Sequence, residues 1–84
     1  MSVHLQIKEQ MTTFIAAEKK YRELDIKREE SIEKVVNDAK ANKHFSLVEV
    51  NAITEELNNL SRSFRFPMRK QVTEEMVLKF ISRN

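Results

Sequence analysis

The absence of glycine is the feature that most restricts how this chain can fold. Among its 84 residues there is no Gly, and the one Pro is Pro67. Gly and Pro punctuate turns and hairpins, so a chain that nearly lacks both favours a few long elements, and helices over strands. The length is that of one small domain. We therefore expect residues 1–84 to form a single helical domain.

The composition also narrows the possible functions. The chain has no Cys, which excludes disulfides, a thiol nucleophile and a Cys-based zinc site. Without Gly it cannot form a Gly-rich phosphate loop. His4 and His44 are too far apart to share a metal site, because about 40 helical residues span roughly 60 Å. The sequence predicts no enzymatic activity, no cofactor and no metal.

Net charge and hydropathy bear on where the protein is located and what it binds. Fifteen basic residues against 13 acidic ones give a net charge of +2, which does not by itself predict a nucleic-acid partner. No stretch approaches the roughly 18 consecutive apolar residues of a membrane span. The first residues do not resemble a signal peptide. We expect a cytoplasmic protein with no membrane span.

A single long helix is predicted over residues 2–42. At about 100° per residue its apolar side chains fall on one face, and the phase is kept across the polar residues 25–31. We interpret those polar residues as a solvated surface that no second element covers. The alternative is a polar layer that sets the register between helices, or a hinge. The apolar face comprises Val3, Ile7, Met11, Phe14, Ala17, Tyr21, Leu24, Ile32, Val35, Val36 and Ala39.

A medium helix is predicted over residues 47–60. Ser46 and Glu49 have the spacing of a capping box, in which each side chain satisfies a free backbone N–H of the first turn. Phe45 and Val50 flank them as the matching hydrophobic staple. The expected apolar face is Leu47, Val50, Ile53, Leu57 and Leu60, and the expected polar side is Asn51, Thr54, Glu55, Asn58 and Asn59.

A short helix is predicted over residues 74–83. Thr73 is a favourable N-cap, and Glu74 and Glu75 suit the positive end of the helix dipole. The sequence as a whole therefore predicts an all-α fold of three helices. The medium and short helices would cover part of the long one in a small helical hairpin or bundle.

Three helices of unequal length leave apolar surface on the long helix uncovered, particularly between residues 3 and 21. A second copy is the simplest cover, because symmetric dimers are the commonest oligomers and a small core without disulfides gains from one. We therefore expect a homodimer. Its predicted interface residues are Val3, Ile7, Met11, Phe14 and Tyr21.

The connection at residues 61–72 is the candidate binding site. Residues 57–73 contain no acid. Arg and aromatic side chains together can hold phosphate and stack on bases, or contact an anionic membrane surface. We favour the structural alternative, in which the two Phe side chains pack on the core and the Arg side chains pair with the acidic flank of the first helix. The candidate residues are Arg62, Phe64, Arg65, Phe66, Arg69 and Lys70.

These observations favour a small non-enzymatic helical protein that acts as a protein–protein interaction or regulatory module and forms a homodimer. A nucleic-acid-binding protein that uses residues 61–72 is the alternative. A helix-turn-helix motif is weaker still, because its turn of about 3–4 residues is far shorter than this connection.

The second half of the chain resembles a known family, the YpbS-like proteins of Bacillus-type bacteria. The resemblance lies in Phe45-Ser46, in NAITE at residues 51–55 and in PMRKQVTEEMV at residues 67–77, and it covers mainly residues 45–84. It implies a helical architecture in a bacterial cytoplasm. The family has no assigned activity, so the resemblance implies no catalytic or binding residues.

Overall fold

The computed structural model describes the backbone of residues 3–82 and the side chains of residues 11–82. Within these residues the chain forms three α-helices: α1 at Val3–Lys40, α2 at Val48–Phe64 and α3 at Glu74–Ser82. The predicted all-α fold of three helices is confirmed. The predicted bounds of α1 and α3 hold within two residues over the described part, whereas α2 differs by a full turn.

Helix α1 extends along nearly the full length of the molecule. Its 38 residues span about 57 Å at 1.5 Å per residue, close to the 60 Å length of the whole protein. The radius of gyration is 17.2 Å, against about 12 Å for a compact chain of this length. Both shorter helices pack on α1, while no described Cα atom of α2 lies within 8 Å of one in α3. Without α1, neither shorter helix has a helical partner.

Helix α1 ends in a complete Schellman motif formed without glycine. Asn42 adopts the left-handed conformation with φ of 58°. The Asn42 N–H donates to the Ala39 carbonyl at 3.1 Å, and the Lys43 N–H donates to the Asp38 carbonyl at 2.8 Å. These bonds satisfy two carbonyls that the helix end would leave free. Asn tolerates this conformation better than other residues with a Cβ, so the helix stops here.

Helix α2 starts one residue later than predicted, and the predicted capping box is wrong. Leu47 occupies the N-cap position and makes no side-chain capping bond. Ser46 instead accepts a hydrogen bond from the Val48 N–H at 3.3 Å. Both residues of the predicted staple belong to this part of the fold, since Val50 is buried in the core cluster and Phe45 packs against that cluster.

The end of α2 is the larger correction. The helix was predicted to stop at residue 60, but it continues through Phe64. Ser61 is buried, and its hydroxyl donates to the Leu57 carbonyl at 2.9 Å, which keeps it compatible with the helix. Arg65 then adopts the left-handed conformation with φ of 60° and ends the helix. The connection to α3 is therefore shorter than the predicted residues 61–72.

The buried face of α2 also differs from the prediction. Val50, Thr54, Leu57 and Ser61 are its buried residues, so two of the four carry hydroxyl groups. Thr54 was expected on the polar side, yet it is fully buried and its hydroxyl donates to the Val50 carbonyl at 2.8 Å. An internal bond of this kind lets a hydroxyl residue face another helix without an unsatisfied group.

The start of α3 agrees with the prediction. The Met76 N–H donates to the Thr73 side-chain oxygen at 3.2 Å, so Thr73 is the N-cap. Val72 and Val77, which lie on either side of this N-cap, are both buried in the core cluster. This cluster lies against the C-terminal half of α1. Its buried members are Val35, Ala39, Val50, Val72 and Val77, with Ile32, Phe45, Leu47 and Ile81 packed around them.

Candidate functional site

An aromatic cluster occupies the end of the molecule where α2 meets the N-terminal half of α1. The rings of Phe64 and Phe66 stack with their centroids 5.8 Å apart and their planes at 16°. Phe66 also lies 5.6 Å from Phe14 and 5.1 Å from Tyr21, while Phe64 lies 6.4 Å from Phe14. These are the separations of favourable aromatic pairs. The two Phe side chains were expected to pack on the core; their rings lie instead against Phe14 and Tyr21 of α1, apart from the core cluster.

The four cations of the candidate site have different surroundings. Arg69 pairs with Asp25 of α1, with Nε and Oδ1 3.4 Å apart, as the structural alternative predicted. Arg62 donates to the Asn59 side chain at 2.7 Å within α2. The side chains of Arg65 and Lys70 are exposed. Four of the six candidate binding residues therefore make contacts within the chain, namely Arg62, Phe64, Phe66 and Arg69. These four residues are part of the packing of the fold and do not form a separate binding site.

Two Asn side chains of α2 hold the backbone that returns from α2 to α3. We call residues 67–72 the return segment. The Asn51 side chain donates to the Val72 carbonyl at 2.9 Å and accepts from the Val72 N–H at 2.7 Å. Asn58 makes the same pair of bonds with Arg69, at 2.7 and 2.8 Å. Each amide thus replaces the partner that a neighbouring strand would provide.

The spacing of the two Asn residues matches the spacing of their targets. Asn51 and Asn58 are two helical turns apart on the same face, a distance of about 10.5 Å at 1.5 Å per residue. Val72 and Arg69 are three residues apart, which is about 10 Å in an extended chain. The return segment can therefore run antiparallel to α2 and present the correct backbone groups to both side chains.

Further side chains bind the return segment from α1. The Tyr21 hydroxyl donates to the Pro67 carbonyl at 2.7 Å, and the Ser61 hydroxyl of α2 lies 3.1 Å from the same oxygen. Arg28 donates to the Lys70 carbonyl at 2.8 Å. The bonds to this segment from Asn, Tyr, Ser and Arg side chains all go to its main chain, so they depend little on which side chains the segment carries.

Within residues 25–31 of α1, Asp25 and Arg28 bind other elements and Ser31 is buried, so the interpretation of this stretch as an uncovered solvated surface is wrong. Arg28 donates to the Thr54 side chain at 2.8 Å as well as to the return segment. Asp25 binds Arg69, and Ser31 is buried. Glu29 and Glu30 do remain exposed. The alternative, a polar layer between α1 and the elements packed on it, describes Asp25 and Arg28.

The sequence did not reveal the role of Asn51 and Asn58. Both were assigned to the polar side of α2, where Asn is an ordinary solvent-facing residue. Their spacing of seven residues, beside the Pro-containing segment 67–72, is the signal that could have suggested a shared partner. No local rule, however, predicts that this partner is the backbone of a segment eleven to 21 residues further along the chain.

An exposed apolar surface lies on the N-terminal half of α1, opposite the end that holds the core. Met11, Phe14 and Ile15 are 60%, 44% and 63% exposed. Positions 11, 14 and 15 share one face of a helix. We call these three residues the α1 surface. The side chains of Val3 and Ile7, which were predicted to belong to a dimer interface, lie outside the described residues.

Tyr21 does not extend the α1 surface. Its ring lies against Phe66 and its hydroxyl binds the Pro67 carbonyl, so both ends of the side chain are engaged within the chain.

Among residues 11–82 no group of three acidic or His side chains is placed to hold a metal ion. No described helix combines the length and apolar character needed to cross a membrane.

These features define a small all-α protein in which two short helices and an extended segment pack along one long helix. The chain belongs to the DUF2533 family, described as a protein of unknown function, whose family model matches residues 1–83. The match extends well beyond the resemblance noted over residues 45–84. No curated protein and no solved structure matches the chain.

Proposed function

We propose that this DUF2533 protein is a non-enzymatic protein–protein interaction module that acts as a homodimer through the α1 surface. The observation that carries the proposal is the exposure of Met11, Phe14 and Ile15 on a single helical face. Clustered apolar surface on a small protein is typical of an interaction site. In the sequence the same pattern continues upstream to Ile7 and Val3, which would lengthen the contact.

The aromatic cluster favours this surface as a binding site. Phe14 is half exposed, yet its ring is held from behind by Phe64 and Phe66. A side chain that is already ordered loses less conformational entropy when a partner covers it. Two copies related by a two-fold axis would each present the same face, so the surface can be its own partner.

The proposal is tested by placing a charge on the α1 surface. We expect Met11→Lys to shift the mass measured by light scattering from a dimer toward the 10.0 kDa monomer. Met76→Lys is the matched control, because Met76 is a similarly exposed methionine on α3. A dimer that dissociates with Met76→Lys but not with Met11→Lys would place the interface on α3 and contradict the proposal.

Nucleic-acid binding through residues 61–72 is the second candidate. It is supported by the exposed side chains of Arg65 and Lys70 in a stretch without acids. Against it, the two aromatic rings that would stack on bases are occupied by each other and by α1. Binding to phosphates should weaken steeply with salt. If replacement of all four cations, Arg62, Arg65, Arg69 and Lys70, with Ala leaves retention on immobilised DNA and RNA unchanged, this candidate fails.

The resemblance to YpbS-like proteins supports a narrower assignment within the family. We infer a bacterial cytoplasmic protein of that group, from the sequence runs at residues 51–55 and 67–77. Fractionation of a bacterial host that expresses the tagged chain would test the location. Recovery with the membrane fraction after a high-salt wash would contradict it.

A further inference from the structure

We propose that residues 66–82 exchange between two copies, so that in the dimer each α1–α2 unit holds the return segment and α3 of its partner. This inference rests on the proposed homodimer and adds how it forms. We call residues 66–82 the exchange segment. The groove between α1 and α2 of each copy, which holds this segment, is then occupied by the exchange segment of the other copy.

The contacts that hold the exchange segment can be made equally well between molecules. Asn51, Asn58 and Arg28 bind backbone groups of residues 69–72, and α3 packs on α1. No Cα atom of the described α2 residues lies within 8 Å of a Cα atom of α3. The exchange segment is joined to α2 through the Arg65–Phe66 peptide bond. If the chain straightens at Arg65, the segment can leave its own α1–α2 unit and make the same contacts with the α1–α2 unit of the partner. Exchange of an identical element is a low-cost route to a dimer.

The connection itself favours opening. Arg65 is held at φ of 60°, a region that disfavours any residue with a Cβ, and no glycine relieves it. The chain reverses direction there, because α2 and the return segment run antiparallel. Opening at Arg65 removes the unfavourable conformation and lets the chain continue outward from the end of α2. Short connections under conformational strain are a known cause of exchange.

We call Arg65, where the chain would open, the hinge. The hinge and the α1 surface lie at the same end of the molecule. Phe64, the last residue of α2, contacts Phe14 of the α1 surface with ring centroids 6.4 Å apart. An exchange segment released from Arg65 therefore leaves the molecule beside Met11 and Ile15. In the dimer the return segment is bound in the partner's groove, so only the Arg65–Phe66 link spans the two copies. The exchange therefore needs the two Arg65 positions to lie side by side, as docking through the α1 surface would place them. The docking surface and the exchange would support each other.

Cross-linking of single-cysteine variants tests the exchange directly. The native chain has no Cys, so an introduced thiol is the only reactive one. Asp25→Cys on α1 and Arg69→Cys in the return segment replace an exposed ion pair whose partners lie 3.4 Å apart. The two variants are unfolded, mixed, refolded together and treated with a short bismaleimide. We expect a covalent heterodimer of about twice the chain mass from the mixture and none from Asp25→Cys alone.

A chain carrying both cysteines distinguishes the two proposals. If it gives mainly an internal cross-link while light scattering still reports a dimer, the exchange is wrong and the homodimer stands. A monomer by light scattering contradicts both proposals. A mixture of single variants that gives no heterodimer also overturns the exchange.

Two substitutions at the hinge should move the exchange in opposite directions. Arg65→Gly accepts the left-handed conformation without penalty, so we expect the heterodimer yield to fall several-fold. Arg65→Pro cannot adopt positive φ, so we expect cross-links to form between molecules almost completely. Should Arg65→Pro fail to fold, Arg65→Gly decides the matter alone, because a yield equal to that of the unsubstituted hinge contradicts a role for the Arg65 conformation.

Discussion

The amide of Asn51 offers the sharpest test of how the fold is held together. Replacing Asn51 with Ala removes both hydrogen bonds to Val72, which the structure places at 2.7 and 2.9 Å. Val72 is buried, so water cannot fully replace the lost partner. The change therefore loosens the return segment where it enters α3, without removing any apolar side chain from the core.

The expected magnitude follows from those two bonds. A hydrogen bond contributes about 0.5–1.5 kcal/mol net, so losing two should cost about 1–3 kcal/mol. Ala is the better helix former by roughly 0.5 kcal/mol, which offsets part of the loss. We expect a net destabilisation of about 1–2 kcal/mol. A domain of this length has on the order of 4–13 kcal/mol in all, so the change should be easily measured.

Urea unfolding followed by circular dichroism is the assay, with every variant at one fixed protein concentration because dimer formation adds to apparent stability. Asn59→Ala is the matched control, since Asn59 is exposed on the same helix and its side-chain oxygen accepts a bond from the exposed Arg62. It carries the same gain in helix propensity and should be neutral or slightly stabilising. If Asn51→Ala unfolds within about 0.3 kcal/mol of Asn59→Ala, the side-chain bonds to the return segment contribute nothing and the reasoning is wrong.

Three further predictions concern the hinge, the polar layer and the core. Arg65→Gly should raise the free energy of unfolding by about 1 kcal/mol, because Gly accepts positive φ; an unchanged or lower urea midpoint would contradict this. Arg28→Met should cost about 3 kcal/mol by removing two charge-assisted bonds of about 1.5 kcal/mol each, whereas Arg22→Met on the exposed side of α1 should cost under about 0.5 kcal/mol; equal effects in thermal unfolding would refute the polar layer. Val77→Ala should cost about 1–3 kcal/mol and Leu78→Ala under about 0.5 kcal/mol, and the reverse order would mean that α3 packs by another face.

The helices and the start of α3 were predictable because their signals are local. A continuous 3.6-residue periodicity identifies α1, and Thr73 followed by Glu74 and Glu75 identifies the start of α3. Each of these features stabilises its own element through groups within one or two turns. Agreement between local preference and the final fold is what the sequence patterns detect.

The end of α2 and the role of its Asn residues were not predictable for the opposite reason. Ser61 and its neighbours read as a loop because Ser favours turns, yet Ser61 is kept in the helix, where its hydroxyl meets the Leu57 and Pro67 carbonyls. Asn58 has a partner only once residue 69 has returned alongside α2. Such long-range partners are set by the packing on α1, and periodicity contains no information about them.

The same distinction applies to the candidate binding residues. The sequence raised two possibilities for Phe64 and Phe66, exposed for binding or packed on the core, and it favoured packing; their rings lie against Phe14 and Tyr21 of α1, apart from the core cluster. It could not show that Phe14 would be held between these rings and solvent. The periodicity of α1 identified the residues of the α1 surface. The support that Phe64 and Phe66 give to Phe14 depends on how these residues pack on α1, which the periodicity does not show.

The mass of the unmodified protein in solution tests the central proposal most directly. Sedimentation equilibrium over about 1–100 µM should show a dimer of the 10.0 kDa chain at the upper concentrations, dissociating on dilution or remaining intact throughout. A single species with the mass of one chain over the entire range would show that the α1 surface does not bind a second copy.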